Sequence, residues 1–167
     1  RYLQMTERKI QKGITEFKGV NRRFTLLGKI NGVSIVDDYA HHPTEIKATL
    51  KAAKQTTDGK IIAIHQPHRF SRLANLFHEF TECFEDADVV GITPIFSAGE
   101  ESIKGITSNN LILEISKQSK ELVQKIEDER ELEGFISQNT EPNDIVVFVG
   151  AGSISTWAHN MMERLGS

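Results

Sequence analysis

The sequence predicts a doubly wound, Rossmann-like α/β fold: a mostly parallel sheet preceded by a β-hairpin that adds one antiparallel strand. Three observations carry that expectation. Short β-branched runs recur at "GVSIVDD" (32–38), "KIIAIH" (60–65), "ADVVGIT" (87–93) and "NDIVVFVG" (143–150), and three of them are almost uninterrupted, as strands covered on both faces are. Stretches with apolar residues three and four apart fall between the runs, the spacing of one helix face. An alternation of strand and helix returns each strand in the direction of the last, because the crossover keeps one hand.

Taken in order, residues 1–17 read as a helix tail and Gly19 as a hinge, so 1–18 are expected to end a preceding domain and 19–167 to form the domain proper. The start at Arg1, with no Met, is expected of a piece of a longer protein. "RFTLLGKINGVSIVDD" (23–38) carries an Asn31-Gly32 turn and predicts the hairpin. Pro43 sits where a first helical turn tolerates it, followed by Ile46, Leu50 and Ala53 on one face. Phe70, Leu73, Phe77, Phe80 and Phe84 predict a further helix, and Ile154, Trp157, Ala158, Met161 and Leu165 the last one. "ELVQKIE" (121–127) is a weaker strand, flanked by helices over 108–118 and 129–138.

With 167 residues, 38% hydrophobic and 26% charged, the chain can bury one sizeable core. A net charge of -3 without a dense Lys/Arg block disfavours a nucleic-acid partner. Cys83 stands alone and cannot form an internal disulfide. No stretch is long and apolar enough to span a bilayer and no signal-peptide pattern occurs, so a cytoplasmic chain with no membrane partner is expected.

In doubly wound sheets ligands bind beyond the carboxyl ends of the strands. "DDYAHHP", "HQPHRFSR" and "GAGSIS" all fall there, and "TPIFSAGEE" (93–101) makes a fourth. Asp37 and Asp38 fit a turn or capping pair as readily as a ribose or metal role. His41 and His42 are adjacent and diverge, and HHxxE lacks the i, i+4 histidines of a zinc helix, so no metal ligand is assigned. Arg69 and Arg72, three apart at a helix start, suit a carboxylate or phosphate together with free backbone amides, although paired solvated arginines are common. "GAGSIS" is a weak dinucleotide fingerprint, and its glycines fit a tight turn with close ligand approach. His78 and His159 read as structural, and Cys83 lies on an apolar helix, so no nucleophilic triad is indicated.

Together "DDYAHHPTEI", "QPHRFSRL", "SAGEE" and "EFKGVNRRF" resemble the carboxy-terminal domain of the Mur ligases over essentially the whole chain. Within that family the motifs stand nearest the branch that joins L-alanine to UDP-N-acetylmuramate. The resemblance implies a cytoplasmic, ATP- and Mg2+-dependent ligase of peptidoglycan precursor synthesis, in which the muramate carboxylate becomes an acyl phosphate that the alanine amine attacks. It also implies that residues 1–18 end a central ATPase domain, that the phosphate-binding loop and magnesium ligands lie in domains outside this chain, and that the partners are those domains, UDP-N-acetylmuramate, L-alanine and ATP. Arg23 matches the arginine that reaches the ATP phosphates. Asp38, fifteen residues on, matches the aspartate at the nucleotide. Tyr39, His41, Arg69 and Arg72 match positions around the incoming alanine and the reacting carboxyl, so Arg23 and His41 become the candidate catalytic residues. Ala40 departs from a frequent family glycine. A murein tripeptide-recycling ligase, or a non-catalytic nucleotide-binding or interaction module, are the alternatives; Tyr39 and "QPHRFSR" favour the alanine branch.

Overall fold

Six strands form one sheet in the order β1-β2-β6-β3-β4-β5. The structure, a computed structural model, describes residues 22–118 and 122–165; the expected helix tail over 1–17, the hinge at Gly19 and the boundary after residue 18 lie outside them. β1 (Thr25–Ile30) and β2 (Val33–Asp38) pair antiparallel, and β3 (Ile61–His65), β4 (Val89–Ile92), β5 (Leu122–Lys125) and β6 (Ile145–Val149) continue the sheet in parallel from β2. This is the doubly wound, mostly parallel sheet with one antiparallel strand that the sequence predicts. Asn31 and Gly32 take φ of 51° and 84°, the two positive values a two-residue hairpin turn requires.

Helices α1 (Pro43–Lys54), α2 (Phe70–Asn75), α3 (Phe77–Thr81) and α4 (Ser108–Gln118) cover one face, and α5 (Glu129–Asn139) and α6 (Ile154–Leu165) the other. Alternation along each strand divides the core accordingly. Val36, Ala63, Val90, Val147 and Val149 pack with Ile46, Leu50, Leu73, Phe80, Phe84 and Leu111. Ile35, Ile62, Ile64, Val146 and Phe148 pack with Leu132, Phe135, Ile154, Ala158 and Met161. The edge strands β1 and β5 are half exposed, whereas the central strands are buried almost throughout.

One expected helix is interrupted. The phenylalanine spacing from Phe70 to Phe84 predicts a continuous run, but Leu76 leaves helical geometry at φ -123° and ψ 26°, separating α2 from α3. Leu73, Phe80 and Phe84 nevertheless share one core cluster. Periodicity reports which residues face the core, and a bend preserves that while breaking the backbone ladder.

The parallel register sets Asp38, Val149, His65 and Ile92 side by side across four strands. His65 is fully buried; its Nδ1–H donates to the Val149 carbonyl at 3.1 Å, its ring stacks on Phe80, and its Nε2 has no partner. Burial holds its pKa down at about 4, against the favourable Val149 bond. Below pH ~6.5 the unfolded chain therefore takes up a proton that the folded chain refuses, and stability falls until the pH reaches the folded value. The loss at pH 5 is about 2 kcal/mol relative to pH 7. His65→Phe keeps the ring stack, and the Val149 carbonyl keeps the Gln66 amide at 3.2 Å. Urea denaturation at the two pH values should show this acid loss in the parent and its absence in His65→Phe; equal losses would refute the assignment.

Candidate functional site

Four loops meet beyond that row of strand ends, one from each of β2, β3, β4 and β6. The β2 loop turns at once into α1 because of its own sequence. His42 is the N-cap and accepts from the Thr44 amide, Pro43 opens the helix, and Glu45 accepts from the His42 amide at 3.2 Å to close a capping box. Burial raises the Glu45 carboxyl, but the His41 amide, the His41 ring and the His42 amide, with Arg23 further off, together bring it below the ordinary range. The histidine pair and glutamate of "HHPTE" thus build a helix start. This holds His41 with its Nδ1–H donating to the Tyr39 carbonyl at 2.9 Å.

The β3 and β4 loops are laced together by main-chain bonds, Arg69 N to Phe96 O at 2.8 Å and Phe96 N to Pro67 O at 2.8 Å, and His68 stacks on Phe96 with centroids 5.4 Å apart. Arg72 Nη1 lies 3.2 Å from His68 Nδ1 and donates to it. Burial, the Arg72 charge and then His41 depress the His68 pKa, so the ring stays neutral with its proton on Nε2. His41 and His68 lie 6.1 Å apart, and the Tyr39 ring meets His41 edge-on at 5.2 Å. Tyr39, His41, His68 and Arg72 therefore form one continuous wall. The fourth loop is tied to the β3 loop by Gln66, which donates through Nε2 to Ser153 Oγ at 3.1 Å and accepts from the Ile154 amide at 3.1 Å. A Cβ at Gly152 would collide with the Gln66 amide oxygen and the Phe96 ring. The close approach expected of "GAGSIS" is made to neighbouring loops.

A family model described as "Mur ligase, glutamate ligase domain" matches residues 22–152. The chain belongs to this family. A UDP-N-acetylmuramate–L-alanine ligase from Dinoroseobacter shibae is 50% identical over 99% of the chain, which covers 36% of that protein. The chain thus spans about a third of the length of such relatives. A solved UDP-N-acetylmuramate–alanine ligase from Thermotoga maritima is 28% identical, with TM-score 0.71, over 92% of this chain and 32% of that one. A murein peptide ligase from Psychrobacter arcticus, 21% identical with TM-score 0.67 over 93% of this chain and 32% of that one, shares the fold.

Tyr39, His41 and Arg72 come together. Arg69 is the α2 N-cap, at φ 73°, and its Nη1 lies 3.7 Å from Glu100 Oε1. The amides at the start of α2 are not all free: Glu100 accepts from Ser71 N at 2.9 Å and Ser71 Oγ at 2.7 Å. These bonds, ahead of the Arg69 charge, hold the Glu100 carboxyl below its ordinary range. Arg23 is exposed beside the loop. Asp38 is only 4% exposed, and its oxygens accept from Phe24 N at 2.6 Å and Ala40 N at 2.7 Å. His68 and Glu100 stand inside quoted motifs without an assigned role. Their one signal was residue type, a histidine and a carboxylate within those motifs.

Proposed function

We propose that the chain is the carboxy-terminal domain of an ATP-dependent UDP-N-acetylmuramate–L-alanine ligase of peptidoglycan precursor synthesis, acting in the cytoplasm and closing over ATP and the amino acid. The reading is supported by the wall of Tyr39, His41 and Arg72, with Arg69 alongside, on a chain half identical to a ligase of that name. Among the described residues no helix is long and apolar enough to cross a membrane.

In this reading Arg69 and Arg72 take the alanine carboxylate, since forked guanidiniums match a carboxylate and a cationic wall counters the charge of a transferring phosphoryl. His41, held by the Tyr39 carbonyl, presents Nε2 to the alanine amine and receives its proton as the amine attacks the acyl phosphate, the C–N bond forming while the acyl C–O bond breaks and inorganic phosphate leaves. Arg23 reaches the ATP phosphates, and Asp38 serves the nucleotide side. ATP supplies the phosphoryl group that activates the muramate carboxyl. Among the described residues no three His, Cys, Asp or Glu groups can hold a metal; we assign Mg2+, the UDP-sugar and the phosphate-binding loop to the amino-terminal and central domains.

Alone, the purified chain should fold yet release no phosphate from ATP above a heat-killed control, while the full-length enzyme ligates L-alanine. Turnover by the chain alone would overturn the division of labour. Preference of the full-length enzyme for a tripeptide over alanine would move it to the murein-recycling branch.

A further inference from the structure

We propose that Arg22 is a positioning residue for the amino-acid pocket, clamping the Tyr39 ring between itself and His41. The proposal rests on the placement of Tyr39 in that pocket. Arg22 takes a left-handed φ of 59°, which carries its side chain across the carboxyl end of the sheet. Its carbonyl accepts from the Tyr39 amide at 2.7 Å, so backbone and side chain grip the same residue. Nη2 donates to the Gly150 carbonyl at 2.7 Å, and Nε faces Asp37 Oδ2 at 3.5 Å. With those edges fixed, the guanidinium carbon Cζ lies over the Tyr39 ring, 4.8 Å from its centroid. A planar fork can bind in its own plane while its face stacks on an aromatic ring; a lysine ammonium cannot do both.

Tyr39 needs such a clamp. The residue is 38% exposed, on a loop outside both core clusters, and its ring also meets His41 in an edge arrangement with centroids 5.2 Å apart. Left to itself an exposed tyrosine samples several rotamers. Held by Arg22, it stands as a fixed wall beside His41, where a small amino-acid side chain would be measured. Asp37 completes the device from below: it is buried, accepts from Ser155 Oγ at 2.6 Å, and its Oδ1 and the Arg22 Nε are both buried without a hydrogen-bond partner. Asp37 and Arg22 are thus matched by charge, with the geometry set by Gly150 and Tyr39.

Steady-state kinetics of the full-length enzyme test the clamp. Arg22→Gln should raise the KM for L-alanine about three- to fivefold, the worth of an exposed cation–π contact, while kcat and the KM for ATP stay within about twofold. A purely structural residue would instead lower the active fraction, and hence apparent kcat, with KM unmoved. In a Tyr39→Leu background, Arg22→Gln should raise the alanine KM no further. Should Arg22→Gln fail to fold with Asp37 left unpaired, Arg22→Gln/Asp37→Asn removes that charge and is read the same way. An alanine KM raised by Tyr39→Leu but untouched by Arg22→Gln, or raised equally by Arg22→Gln in both backgrounds, overturns the clamp alone. An alanine KM indifferent to Tyr39→Leu overturns the placement of Tyr39, and the clamp with it.

Discussion

Arg72→Ala and Arg69→Ala in the full-length ligase are each expected to lower kcat/KM for L-alanine about 10- to 100-fold, the loss of a charge-assisted hydrogen bond of roughly 1.5–3 kcal/mol. The two should differ in kind. Arg69 faces Glu100 at 3.7 Å, so truncating it would leave an amino-acid carboxylate bound there facing an uncompensated like charge wherever Glu100 is ionised. Arg72 donates to His68 Nδ1 and, after burial, is the main cause of that ring's depressed pKa. Without Arg72 the His68 pKa rises toward its ordinary range, and near pH ~6 the imidazolium partly restores the lost cation. The ratio of Arg72→Ala to parent in alanine KM should therefore shrink on acidification, and that of Arg69→Ala, whose charge depresses His68 less, should shrink less. Lysine at either position should still hurt, since a point charge lacks the planar fork. Unchanged kinetics in both alanine variants would remove the arginines from the amino-acid site.

The same two arginines show where sequence reasoning reaches its end. The central strands were legible because burial on both faces demands unbroken β-branched runs, as at Ile61–His65 and Ile145–Val149. β5 was weaker for the same reason inverted: an edge strand with Leu122 half exposed carries no such demand. The convergence of the four loops followed from topology alone. Which groups pair across them did not. Nothing local to "FSR" says that Ser71 will be held by a glutamate twenty-nine positions away, or that Arg72 will turn back to His68 in the preceding turn. Backbone breaks were hidden too, since the phenylalanine spacing runs unchanged through the bend at Leu76.

Asp38→Asn in the full-length enzyme is expected to raise the KM for ATP and lower the melting temperature together, because the carboxylate holds the chain that presents Arg23. Alternation puts Asp37 and Asp38 on opposite sides of β2, and the contacts follow: Asp37 meets Ser155 and Arg22, Asp38 meets Phe24 and Ala40. Register alone leads one to expect an Asp38 carboxylate free for the nucleotide and dispensable for stability, but both its oxygens accept main-chain amides. One of them, Phe24 N, belongs to a residue at φ 47°, a costly conformation for an aromatic side chain. An asparagine must turn its NH2 against one of these donors, which costs about 1–3 kcal/mol and lowers the melting temperature. Asp37→Asn keeps the oxygen that Ser155 uses but removes the charge facing Arg22, so it should lower the melting temperature with a smaller effect on the KM for ATP. Pairing each variant with Arg23→Ala separates touching the nucleotide from positioning. If Asp38 acts through Arg23, the double variant binds ATP no worse than Arg23→Ala alone; if it contacts the ribose as well, the losses add. An ATP KM raised only by Asp37→Asn would exchange the two roles, and one raised by neither would take the nucleotide away from this turn.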